Sequence, residues 1–330
     1  MPAPTISSAL SPASSSSSLS SKSNASDIKI IPRLSQNRGH ADHGWLKTFH
    51  SFSFADYYDP QFRNFGFLKV LNEDRVAPSE GFGQHAHRER EIFSYIVSGE
   101  LEHKDSLGNF EVLRRGDVQL TSAGTGIFHS EYNPSTLKPV HFLSIWAMPS
   151  VRGVAPAYYT RHFTDDEKRD KLVRVVAPAT AQGVSTKPQD TGPAPVQSGV
   201  TLHASLLSSS HKVTHTLHPS ALPSPASTPQ SSRSSQSPPT TPSTPAVTAM
   251  PVISTVATTP PADSTRKSYV HVIQASGYNT GPALGGKIRL NDEVTIAEGD
   301  GAFVYGESGA QLEIENVGVA TVEILVFDIE

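Results

Sequence analysis

Apolar residues in this chain come in short runs, and glycine- or aspartate-bearing turns cut each run off well before a helix of ordinary length could form. Ile92 to Val97, Val118 to Leu120 and His141 to Trp146 are such runs, and Ser98-Gly99, Ser106 to Asn109 and Arg115-Gly116-Asp117 are the turns beside them. Many short strands at this spacing predict an all-β chain built as a barrel or sandwich. Strand-like sequence begins near Asp27 with Ile28, Ile30 and Ile31, followed by an aromatic stretch from Trp45 to Phe67. A second set includes Lys171 to Val176, Gly199 to Ala204, Tyr269 to Ile273, Ala302 to Tyr305, Gln311 to Glu315 and Thr321 to Phe327. Between the two sets, Thr164 to Arg169 predicts an N-cap and one helical turn.

Two segments resist this reading. Residues 1–26 are rich in Ser, Ala and Pro with a single Lys22, and about 219–265 is Ser, Thr and Pro with almost no aromatic residue. Neither can bury enough apolar surface to offset its ordering entropy, so a disordered tail and a disordered insertion are expected. Strand-like sequence resumes after the insertion, which places it inside a domain. With 330 residues the chain has room for two units, expected at 27–155 and 156–330. A net charge of -4, from 27 basic and 31 acidic residues without blocks, gives no basic stripe for nucleic-acid phosphates. Without cysteine, disulfides, thiolate sites and Fe–S clusters are excluded, and a metal must use His, Asp or Glu. The tail lacks the features of a signal or transit peptide, and no window approaches the roughly 18 apolar residues of a membrane span. A soluble protein of the cytoplasm or nucleus is expected.

The chemistry-bearing residues are histidines. In a strand, residues i and i+2 project from the same face, so His85-Ala86-His87 aims two imidazoles into one space. His129-Ser130-Glu131 does the same with an imidazole and a carboxylate. Three imidazoles and a carboxylate suit divalent iron, manganese, nickel, cobalt or zinc, and a six-coordinate ion would keep two positions open. Glu91 competes with Glu131 for the fourth place. His103 and His141 are expected as satisfied core or surface histidines. His40, His43 and His50 could line a pocket mouth, and His203, His211, His215 and His218 form a loose cluster that suggests adventitious binding.

Both pairs sit in a recognisable context. Gly81 to Glu91 with Gly99 resembles the first cupin motif, H-x-H-x3-E-x6-G, with seven residues before the glycine. Gly116 to Asn133 resembles the second, G-x5-P-x-G-x2-H-x3-N, with Ser122 for the proline and two extra residues before the histidine. More narrowly, His85 to Arg88, Gly99 to Asn109, Arg115 to Gln119 and Ala123 to Glu131 resemble the pirin family. The likeness covers about Asp27 to Val176 and, more loosely, Val200 to His203 and Ile324 to Asp328.

The resemblance implies two tandem cupin (jelly-roll) barrels with iron in the first only, held by His85, His87, His129 and Glu131. Glu91 would then orient a histidine or pair with Arg88. It also implies one of two functions: opening of the quercetin flavonol ring with dioxygen, releasing carbon monoxide, or iron-dependent regulation through binding to transcription factors. For the enzyme, Glu131 would accept the proton of the flavonol 3-hydroxyl, and Phe52, Phe54, Phe82 and Phe128 would grip the planar substrate.

Overall fold

The computed structural model describes residues 28–217 and 265–329. The expected tail and the expected insertion lie outside the described residues, except that Thr265 opens a strand. Among the described residues the chain is almost all β, as its short alternating runs require.

The first half contains β1 (Lys29–Arg33), β2 (Gly39–Asp42), β3 (Leu46–His50), β4 (Leu68–Val76), β5 (Gly81–His87), β6 (Glu91–Ser98), β7 (Glu100–Asp105), β8 (Phe110–Arg114), β9 (Asp117–Ser122), β10 (Ile127–Tyr132), β11 (Val140–Ala147) and β12 (Ala157–His162). A short helix α1 (Asp165–Lys168) follows, closed by a capping box in which Thr164 and Glu167 satisfy each other's backbone N–H. The second half contains β13 (Val173–Pro178), β14 (Ala194–Val196), β15 (Val200–Leu207), β16 (Lys212–Thr216), β17 (Thr265–Val272), β18 (Lys287–Leu290), β19 (Val294–Ala297), β20 (Gly301–Glu307), β21 (Gln311–Asn316) and β22 (Val322–Ile329). No helix among the described residues is long and apolar enough to cross a membrane.

Four sheets result. Two have seven strands, ordered β12-β9-β6-β11-β4-β3-β2 and β1-β20-β17-β22-β15-β13-β14. Two have four, ordered β5-β10-β7-β8 and β16-β21-β18-β19. Strand for strand the orders correspond, so the chain is one barrel built twice. The copies exchange edges. β1, from the first unit as read in the sequence, pairs with β20 of the second barrel, and β12, beyond the expected boundary at 155, pairs with β9 of the first.

The continuous apolar runs follow from burial on both faces of the large sheets. Phe93, Tyr95 and Val97 of β6 join Leu143 and Ile145 of β11 in a core with Tyr269, Phe303, Leu325 and Phe327 of the second barrel. The intervening residues face the other way: Ile96 and Phe142 pack with Leu101 and Leu113 of the small sheet, inside the first barrel. Between its two sheets, the second barrel has its own core, including Leu207, Val213, Ile314 and Val326.

Candidate metal centre

Two adjacent strands of the first small sheet carry the site. β5 and β10 run antiparallel with His85 opposite His129, and the register slips by one residue between His129 and Glu131. Gly81 makes this pairing feasible: a Cβ there would lie 2.3 Å from the carbonyl oxygen of Glu131. On the other side of β10, His103 of β7 stands opposite Glu131.

The three histidines converge. The ring centroids of His85, His87 and His129 are 4.5–4.8 Å apart. Nδ1 of His85 donates to the Gly83 carbonyl at 2.8 Å, which leaves Nε2 with its lone pair. That Nε2 lies 3.0 Å from Nε2 of His129, and Nε2 of His87 is buried without a hydrogen-bond partner. Adjacent donor atoms around an ion with bonds of ~2.1 Å are roughly 3 Å apart, so this spacing fits a first-row divalent ion. Burial, reinforced by the neighbouring imidazoles, pushes His87 down to about 4 and His129 to about 3, which keeps both rings neutral at neutral pH, each with one nitrogen lone pair to offer. The donor set fits a metal on these grounds.

Glu131 approaches from the other side of His129. Its carboxylate forms a close group with His103 and His129, and Oε1 accepts a 3.3 Å hydrogen bond from Ser94. Glu91 is engaged elsewhere: Oε2 accepts from Ser122 Oγ at 2.7 Å and from the Gln197 backbone at 3.0 Å, so its partners are these rather than a histidine or Arg88. His103 is fully buried, stacked on Tyr158 and 3.2 Å from Asp105. His141 is also a core histidine, bonded to Glu73 at 2.9 Å.

A cavity of about 480 Å³ opens onto the three histidines and Glu131. Its aromatic wall consists of Trp45 against Phe82 and Phe54 against Trp146, with Trp146 edge-on to His87 at 4.9 Å. Of the four phenylalanines expected here, Phe54 and Phe82 line the cavity. Phe52 instead packs on Tyr269 and Phe303 in the core between the barrels, and Phe128 is 53% exposed on the opposite face of β10. Alternation carried that signal, since Phe128 precedes His129 by one residue and must face away from it. His43 and His50 line the cavity and His40 does not.

Apart from His50, the polar wall was not legible in the sequence. Thr48 of β3 donates to Asp74 of β4, and Nδ1 of His50 donates to Asn72 at 2.9 Å. Burial, helped by the charges of Glu131 and Glu73, pushes the Asp74 carboxyl up to about 7, so it can hold a proton near neutrality.

Comparison with known proteins identifies a domain within the chain. The family model described as Pirin matches residues 32–147. Those residues form a pirin domain. A quercetin 2,3-dioxygenase of Escherichia coli K12 is 50% identical over 134 residues, 41% of this chain and 58% of that protein. The match thus spans less than two thirds of that relative. The crystal structure of YhhW from Escherichia coli superposes with a TM-score of 0.66 at 28% identity, covering 92% of this chain and 98% of that one. A second structure, the bacterial pirin YhhW in complex with nickel(II), gives 0.64 at 28% identity, with 91% and 99% covered. The likeness extends through the second barrel, so the pirin domain and its partner are two tandem cupin barrels.

Proposed function

We propose that this chain is a metal-dependent dioxygenase that holds iron(II) at His85, His87, His129 and Glu131 and opens the ring of a quercetin-like flavonol. The observation that carries this reading is the junction of three converging imidazoles with an aromatic-walled cavity of about 480 Å³, within the range of small-molecule sites. The activity in the name of the Escherichia coli relative supports the substrate class, and the nickel(II) held by YhhW supports a divalent ion. Bound here, iron would supply the Lewis acidity and the redox capacity that reaction with dioxygen needs.

The chain's own residues do the rest. Trp45, Phe54, Phe82 and Trp146 enclose a planar substrate and exclude water from the histidine end of the cavity. Glu131 takes the proton of the substrate's 3-hydroxyl on a carboxylate oxygen, with Ser94 orienting the group. Asp74, tied to Thr48 on the same wall, is near enough to Glu131 to feel its charge.

The test is spectroscopic. Iron-loaded protein mixed with quercetin in air is expected to bleach the flavonol absorbance and release carbon monoxide. A His87→Ala variant should not. Bleaching no faster than that control would remove the dioxygenase reading.

A further inference from the structure

The second barrel brings together a ligand set of which the sequence shows only the two histidines. His203 on β15, His215 on β16 and Asp328 on β22 are 125 positions apart at the extremes, yet their donor atoms all lie within 4.8 Å of one another. Nε2 of His215 is 2.7 Å from Oδ1 of Asp328, and Nδ1 of His203 is 4.0 Å from Oδ2. The two imidazole rings meet at 5.2 Å, edge to face.

Strand alternation explains why all three point inward. Val200, Leu202 and Ala204 of β15 face the core between the barrels, so His203 faces the interior of the second barrel. On β22, Leu325, Phe327 and Ile329 face that same inter-barrel core, and Val326 and Asp328 face inward. His215 shares its face of β16 with Val213 and Leu217, both in the interior core. The carboxylate therefore ends in an apolar barrel interior. Among the described residues its ionic partners are His203 and His215 alone. A buried carboxylate facing imidazoles, with no Lys or Arg to neutralise it, is a site suited to a cation.

We propose that His203, His215 and Asp328 hold a second first-row divalent metal ion in the C-terminal barrel, separate from the pirin-domain site. Two imidazoles and one carboxylate are the donor set of facial-triad sites for iron(II) and its neighbours. Donor atoms must close from separations within 4.8 Å to roughly 3 Å, a small movement for side chains. His203 retains 17% side-chain exposure, so an ion can reach the triad from solvent.

The experiment uses the full chain with His85→Ala and His87→Ala together, which silences the first site. After equilibration with cobalt(II) and removal of loosely held ion, elemental analysis should find one cobalt per chain. Adding Asp328→Asn or His215→Ala should weaken binding by about 10- to 100-fold, and His211→Ala, on an exposed neighbouring residue, should not. Folding is controlled by Asp328→Asn in the otherwise intact chain, which must still retain cobalt at the first site. Independently of any triad variant, cobalt should shift the ring protons of His203 and His215 in the NMR spectrum. Absence of cobalt from the double variant, or retention through both Asp328→Asn and His215→Ala, would overturn the proposal.

Discussion

At the scale of single residues, the site depends on which carboxylate stands beside the histidines. Glu131 lies next to His129, whereas the Glu91 carboxylate is spent on Ser122 and Gln197. Glu131→Gln should therefore weaken metal binding by at least ~10-fold in a chelator competition, and Glu91→Gln should leave it unchanged. Glu91 has a different signature. Burial pushes its carboxyl up to about 7, from 4.5, so the folded chain keeps a proton that the unfolded chain releases. Stability from this group is present below about pH 4.5 and is lost as pH rises through about 7, a loss on the order of 3 kcal/mol. Urea titrations should find Glu91→Gln close to wild type at pH 5 and more stable at pH 8; an equal difference at both would contradict the assignment. The His-x-His pair was legible because spacing by two is the strand's own period. Trp146 and Asp74 were not, because β4 and β11 are buried on both faces and the sequence does not say which face meets the cavity.

At the scale of elements, the geometry of β5 against β10 decides whether the two proposed ligand pairs meet. Gly81 is the point of closest approach, and a methyl group there must displace the Glu131 carbonyl or the Tyr132 backbone. Gly81→Ala should cost about 1–3 kcal/mol in chemical denaturation and weaken metal binding at the same time. An unchanged affinity would show that the strand spacing is not what holds Glu131 in place. The helix at Asp165–Lys168 was readable because a capping box is a local code. The exchanged edges were not: β1 and β12 find partners 268 and 35 or more positions away by comparison with their chain neighbours, as Arg33 with Gly301 and Ser122 with Ala157 show. No local pattern encodes a choice between two barrels of the same strand order.

At the scale of the whole molecule, the barrels are joined by an apolar core and by buried charge. Glu73 is fully buried and accepts from His141 and Arg38 of the first barrel and from His271 and the Gln274 backbone of the second. Burial alone would raise its carboxyl, but the two histidines hold it well below the usual carboxylate range. Glu73→Ala would leave these donors unpaired and should cost about 3–5 kcal/mol, read as a lower denaturation midpoint. A midpoint within error of wild type would mean that the apolar contacts alone join the barrels. That two barrels exist was visible in two sets of short runs. Their shared core was not, because a strand buried on both faces reads the same whichever neighbour covers it.

The central claim concerns an ion among His85, His87, His129 and Glu131, and crystals grown with iron(II) test it most directly. An anomalous difference map recorded at the iron edge is predicted to show one peak in the first barrel, bonded to the three histidine Nε2 atoms and one Glu131 oxygen. A first barrel without such a peak, or an ion there that Glu131 does not touch, would contradict the account.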